Sequence, residues 1–160
     1  MADGPANDAP YRLIDNVEFG ENVVVSSFTN LYGCTIGDET LIGPYVEIQR
    51  GAVIGARCKI QSHTFICDGV TIEDEVFVGH GVIFINDKYP RVAGDMDWEL
   101  QSTLVAGGAS IGSGAVVLGG IEIGSGATIG AGAVLTRNVE AGAVVAGNPA
   151  QRITRSSSET

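Results

Sequence analysis

Aromatic residues are scarce, 6 % of 160 residues with a single tryptophan. A core cannot be filled with rings at that level, so it must be built from Ile, Val and Ala. Cysteine is sparse too. Cys34, Cys58 and Cys67 show no CxxC or other metal-ligand spacing, and an odd count in a chain of this length speaks against a disulfide framework. They are read as reduced packing residues. Cations are outnumbered: nine Lys and Arg against nineteen Asp and Glu give a net charge of −10. Such a surface repels phosphate backbones, which excludes general nucleic-acid binding. An anionic ligand must be met by local groups among Arg12, Arg50, Arg57, Lys59, Lys88, Arg91, Arg137, Arg152 and Arg155. No apolar run approaches the roughly 18 residues of a membrane span, and no basic-plus-apolar leader opens the chain. The reading is a cytoplasmic protein with no membrane contact.

Glycine is abundant, 23 residues, about twice its usual share of ~7 %. Many turns in a regular scaffold are implied. Length allows one domain, placed at residues 11–153 between polar or small tails, residues 1–10 and 154–160, that are expected to be disordered.

The pattern that decides the fold is an internal repeat. Stepping by six gives Ile36, Ile42, Ile48, Ile54, Ile60, Ile66, Ile72, Val78 and Phe84, all apolar. Four residues after each anchor stands a small or β-branched residue: Thr40, Val46, Ala52, Cys58, Thr64, Val70, Val76, Val82. The train resumes at Val105, Ile111, Val117, Ile123, Ile129 and Leu135. A period of six fits neither a 3.6-residue helix nor simple alternation. It fits a strand of about four residues plus a two-residue corner, three units making a triangular coil and coils stacking about 4.8 Å apart. Ile36, Ile54 and Ile72 then share one inward column, Ile42, Ile60 and Val78 a second, and Ile48, Ile66 and Phe84 a third. Glycine after an anchor, as at Gly37, Gly43, Gly55 and Gly79, is read as relief of a corner with positive φ. The expected fold is all-β, a parallel β-helix of hexapeptide repeats, with one long loop inserted at about residues 85–104. The loop exceeds the repeat by fifteen residues and carries Lys88, Tyr89, Arg91 and the only Trp, Trp98. Long loops on rigid scaffolds carry function.

These repeats resemble the bacterial hexapeptide-repeat acyltransferases, over roughly residues 11–153. The resemblance implies left-handed winding, an exception to the usual right-handed crossover, and a homotrimer with sites between subunits. Gly79-His-Gly-Val-Ile-Phe-Ile-Asn-Asp-Lys-Tyr-Pro-Arg91 is similar to the signature of nucleotide-sugar N-acetyltransferases, such as the UDP-2-acetamido-3-amino-2,3-dideoxyglucuronate 3-N-acetyltransferases and those acting on dTDP-linked amino hexoses. Asp97-Trp98, Thr103-Leu104-Val105 and the closing Ala146-Gly-Asn-Pro-Ala-Gln-Arg152 fit the same family, although residues 92–97 form a shorter loop segment than the family pattern. The implied reaction is acetyl transfer from acetyl-CoA, as co-substrate, to the amine of a UDP- or dTDP-linked amino sugar in cell-surface polysaccharide (lipopolysaccharide) biosynthesis.

Within that reaction, His80 is a candidate general base or orienter of the amine. Asn86, at the loop root, resembles the family residue that hydrogen-bonds the acceptor amino group. If Asn86 is central, the coenzyme thiolate takes the proton. Lys88 and Arg91 suit phosphates or a uronic carboxylate. Asp87 and Tyr89 complete a candidate substrate set. His63 precedes His80 by one position less than a full coil, so it should lie near the same corner and also face the acceptor. Carbonic anhydrases of this fold use three His ligands, but two histidines cannot supply them, so no metal is expected. Coenzyme A in this class lies along a corner of the C-terminal coils, where Ala106 and Gly107 should stack on Gly124 and Ser125. Asn148, Pro149 and Arg152 are candidates for the same ligand, Arg152 for its phosphates. Two rival readings stand beside this one: an O-acetyltransferase on a sugar or serine hydroxyl, and a noncatalytic β-helix scaffold.

Overall fold

The computed structural model describes residues 11–92 and 99–153. The loop residues 93–98, with Asp97 and Trp98, and both expected tails lie outside the described residues. The chain winds as a left-handed parallel β-helix with three faces. Face A stacks Arg12–Asp15, Thr29–Tyr32, Glu47–Ile48, Phe65–Ile66, Ile83–Phe84, Val116–Val117 and Val134–Leu135. Face B stacks Glu18–Phe19, Thr35–Ile36, Val53–Ile54, Val70–Ile72, Thr103–Val105 and Glu122–Ile123. Face C stacks Val24–Val25, Leu41–Ile42, Lys59–Ile60, Phe77–Val78, Ser110–Ile111, Thr128–Ile129 and Val144–Ala146, and ends with Gln151–Arg152. That last strand doubles back and pairs antiparallel.

Register follows the anchors. Ile36 pairs with Ile54, Ile54 with Ile72, and Ile72 with Val105 across the inserted loop. The loop therefore leaves and rejoins the prism without shifting the columns. Every anchor from Ile36 to Leu135 is buried, as is every residue four places on that the sequence reading named. Each such Ile contributes roughly 1.5–3 kcal/mol by leaving water. Thr40 and Thr64 are buried in this interior but satisfied, donating to the carbonyls of Gly55 and Gly79. All three cysteines are buried free thiols, and burial pushes Cys34 and Cys67 up to about 11.

Two expectations need correction. Most strands are two residues long, an anchor and its predecessor, where the sequence reading had about four. The reason is the backbone three residues after each anchor, which turns through positive φ at Glu39, Tyr45, Gly51, Arg57, His63, Gly69, Glu75 and Gly81. Positive φ thus falls at that place and not immediately after the anchor. Gly37, Gly43, Gly55 and Gly79 have a different cause. A Cβ on Gly79 would stand 2.5 Å from the Ser113 amide nitrogen, and one on Gly37 would stand 2.6 Å from the Gly55 carbonyl carbon. They are glycine because the next coil's backbone passes over them.

The helix also extends below Ile36 with a changed period. Ile14 sits beneath Leu31, and Leu31 beneath Ile48, each one position short of the full coil seen above. The corner between faces A and B is one residue shorter there, which breaks the step of six.

Candidate functional site

The three corners of the prism differ in chemistry. The C–A corner comprises residues 26–28, 43–45, 61–63, 79–81, 112–114 and 130–132, and none of these is Asp, Glu, Lys or Arg. The B–C corner carries Glu21, Asp38, Glu39, Glu73, Asp74, Glu75 and Glu140. Its Arg57 bridges Asp74 at 3.2 Å and Glu75 at 3.0 Å, and the Glu75 hydrogen bond raises the guanidinium pKa. The A–B corner carries Arg50, Lys88, Arg91 and Arg137 alongside Asp68 and Asp87, and none of the four cations is paired with an acid among the described residues.

His80 lies on the uncharged C–A corner, exposed, one coil above Ser62. Its Nδ1 is 2.9 Å from Ser62 Oγ, and its backbone amide donates to Ser113 Oγ at 3.1 Å. The ring is thereby held from the coil below and the backbone from the coil above. In the tautomer whose Nδ1–H donates to Ser62, Nε2 keeps its lone pair for a proton. Ser62 and Ser113 were missed in the sequence, although the coil length places Ser62 under His80. His63 is on the same corner, as expected, but its ring turns down onto Tyr45, with centroids 4.8 Å apart.

Asn86 is at the opposite edge of face A. Its Nδ2 donates to the Asp68 carbonyl at 3.2 Å, tying the loop root to the coil below. Asp87 Oδ1 accepts from the Tyr89 amide at 2.9 Å, a local turn that occupies this oxygen. Tyr89 is 80 % exposed, and Lys88 and Arg91 are exposed beside it. Lys88 reaches across the A–B corner: a Cβ on Gly120 would stand 3.6 Å from its Nζ. On the loop's return, Leu100 packs over Gly69 and Gln101 over Gly119.

Ala106 stacks beneath Gly124 and Gly107 beneath Ser125 on the B–C corner, as the spacing requires. The Gly107 amide is occupied, donating to Glu73 Oε2 at 2.8 Å. Arg152 is carried back to this corner by the antiparallel strand, where it pairs with Glu140 at 2.7 Å. Asn148 and Pro149 lie in the turn before that strand, beside Val134 of face A. The structure thus sets His63 and His80 on one corner, Lys88 at the loop root and Arg152 beside Glu140. It does not bring His80, Asn86 and Gly124 together, because they occupy three different corners. Among the described residues, no three His, Cys, Asp or Glu are grouped to hold a metal, and no helix is long and apolar enough to cross a membrane.

Comparison with known proteins places these features. Residues 33–67 and 102–137 match the bacterial transferase hexapeptide (six repeats). The bifunctional protein GlmU of Synechococcus sp. (strain RCC307) is 28 % identical over 90 % of this chain and 34 % of its own length. Serine acetyltransferase of Mycobacterium tuberculosis is 39 % identical over 69 % of this chain and 46 % of its own. The chain spans about a third of the length of the first curated relatives it matches. Among solved structures, a mutant of AntD, an N-acyltransferase from Bacillus cereus in complex with dTDP and coenzyme A, superposes with a TM-score of 0.77 at 18 % identity, covering 86 % of this chain and 82 % of that one. Matched on both sides of the loop and with its coils stacked in that register, the chain carries the bacterial transferase hexapeptide repeat.

Proposed function

We propose that the chain is an acetyl-CoA-dependent N-acetyltransferase acting on the amino group of a UDP- or dTDP-linked sugar, in cell-surface polysaccharide synthesis. The observation that carries the reading is His80: an exposed imidazole on a corner without charged residues, oriented by Ser62, six residues before the Asn-Asp-Lys-Tyr-Pro-Arg loop root. The acceptor nitrogen attacks the thioester carbonyl carbon, the C–N bond forms, and the C–S bond breaks as the oxyanion collapses. The amine proton passes to His80 Nε2 and then to the departing thiolate, giving an amide and free coenzyme A. Lys88 and Arg91, unpaired cations at the loop corner of a chain with net charge −10, are the local groups that suit the nucleotide's phosphates. Arg152 serves the coenzyme phosphates once it leaves Glu140.

Because His80 and the loop root sit on different corners with face A between them, the reading puts the acceptor site between two copies, the C–A corner of one facing the loop corner of the next. A threefold ring of identical contacts provides that arrangement. A thiol-release assay tests the reading, with acetyl-CoA offered to a panel of UDP- and dTDP-amino sugars and product masses measured. One added acetyl group on one nucleotide sugar, lost in Asn86→Ala and His80→Ala, supports it. No release with any amine, and no coenzyme A binding by calorimetry, sinks it in favour of the scaffold. The likeness to a serine acetyltransferase gives O-acetylation a specific claim, so L-serine belongs in the panel. Acetyl transfer to serine alone would replace the amine reading.

A further inference from the structure

One feature of the C–A corner has no part in the acetyl-transfer step. Four rings form a single column along it: Tyr11 on Phe28 at 5.1 Å, Phe28 on Tyr45 at 5.0 Å, and Tyr45 on His63 at 4.8 Å. The ring planes differ by 23°, 3° and 21°. All four residues hold positive φ, at 97°, 61°, 59° and 63°, a conformation that bulky side chains rarely adopt and that costs roughly 1–2 kcal/mol each. Phe28 and Tyr45 remain about half exposed, so burial does not explain their choice.

The column stops at His63. The next coil places Gly81 at the same turn position, again with positive φ, and a Cβ there would meet nothing within 4 Å among the described residues. The coils above repeat the open space at Gly114 and Gly132. His63 therefore ends the stack with one ring face covered by Tyr45 and the other turned to an open rung. His80 flanks that rung, since it stands over Ser62 and not over His63. Two independent features converge there: a ring fixed flat by a column whose placement strains the backbone, and an open space at the next ring position beside the candidate base.

We infer that His63 is a stacking platform for a nucleobase, which takes the open rung above it as the fifth ring of the column. A planar π-face is what the rung matches, and uncharged surroundings suit a base better than a phosphate. Pyrimidines and purines both have such a face, and base–aromatic stacking tolerates either. The two sources are the nucleotide of the acceptor sugar and the adenine of coenzyme A. The inference rests on the proposed reading of this site and extends it to the substrate's base.

The test is calorimetric titration of the full chain with UDP, dTDP and adenosine 3′,5′-diphosphate. Three variants are compared with the parent. His63→Asn removes the ring but keeps a residue that tolerates this backbone. His63→Tyr restores a ring. Gly81→Tyr fills the rung with the side chain that residue 45 already carries at the same turn position. Expected is a loss of affinity of about 5- to 100-fold in His63→Asn, the range that base stacking on a ring supplies. Binding returns in His63→Tyr and is lost in Gly81→Tyr, with thermal unfolding of His63→Tyr unchanged. A loss confined to UDP and dTDP assigns the rung to the acceptor nucleotide, and one confined to the adenosine bisphosphate assigns it to coenzyme A. Equal binding by the parent and His63→Asn overturns the platform while leaving the acetyltransferase reading intact. No binding of any probe by the parent overturns both. If Gly81→Tyr changes the sedimentation of the assembly, the rung belongs to a neighbouring copy's side chain, and the platform is again wrong.

Discussion

Gly112 and Gly114 share one turn of one coil, yet the structure gives them opposite reasons to be glycine. A Cβ on Gly112 would lie 2.5 Å from the Ala131 amide nitrogen and 2.8 Å from its Cα. Ordinary contact begins near 3.4 Å, so the overlap is close to an ångström. The obstacle is backbone, fixed by the Gly112 amide bonded to the Ile129 carbonyl at 2.8 Å, and cannot swing away. Gly114 holds φ at 70°, with nothing among the described residues within 4 Å of its Cβ position. Gly112→Ala therefore forces neighbouring coils apart, which overpacking values put at about 1–3 kcal/mol or more. Gly114→Ala meets only the left-handed penalty of roughly 1–2 kcal/mol. Gly114→Asn should cost less again, because asparagine tolerates this conformation and Asn22 already adopts it at φ 56°. Urea unfolding followed by circular dichroism measures all three. Gly114→Asn is expected to be the most stable of them, Gly114→Ala the next and Gly112→Ala the least. In a chain this size each kcal/mol moves the melting temperature by about 2–4 °C. A stable Gly112→Ala variant beside a severely damaged Gly114→Ala variant would refute coil-to-coil contact as the reason for glycine immediately after the anchor.

Other consequences are as direct. Ile72→Ala removes a fully buried anchor between Ile54 and Val105 and should cost about 2–5 kcal/mol by the same unfolding assay. The thiols of Cys34 and Cys67, pushed up to about 11 by burial, stay protonated while unfolded thiols ionise, so stability holds below the unfolded thiol's pKa of 9.0 and falls as pH rises from there towards 11. Stability constant across that window, or rapid alkylation of the folded chain in mild alkali, would contradict it. Ser62→Ala should lower kcat/KM less than His80→Ala, whose loss as a general base is worth roughly 10²–10⁴-fold. Glu140→Gln frees Arg152 from an exposed ion pair, so coenzyme A binding should tighten by up to about 5-fold, the scale of such pairs, while Arg152→Ala weakens it.

The columns of the prism were legible from Ile36 to Leu135 because the period sets the register, and the inserted loop left it untouched. Glycine was misread because composition marks its place but not its cause. Contact between successive coils explains Gly37 and Gly79, and only Gly51, Gly69 and their equivalents need positive φ. The shortened coils below Ile36 escaped a search by six, although Ile14, Phe19, Val25 and Leu31 carry the shifted pattern. At the site, residue types pointed to His80 and the loop, but the partners Ser62 and Ser113 come from adjacent coils. The aromatic column escaped for a similar reason. Tyr11, Phe28, Tyr45 and His63 each stand about one coil apart and look like scattered rings until the coils are stacked.

The separation of the candidate groups makes the between-copies site testable without a structure of the assembly. His80 stands on the C–A corner and Arg91 on the loop at the A–B corner, with face A between them. If each site takes its histidine from one copy and its loop from the next, a His80→Ala chain still offers a sound loop, and an Arg91→Ala chain a sound histidine. Each variant alone should be nearly inactive. Co-expressed in equal amounts and assembled at random, they should recover about a quarter of the parental activity per site, since one pairing in four joins two intact halves in a heterologous ring. A site built within one chain gives no recovery at all, because every chain in the mixture carries one defect. Recovery near a quarter places the reacting groups across an interface. Its absence, with both variants folded and assembled, would mean that His80 and the loop serve one chain, and that face A must be spanned by the substrate itself.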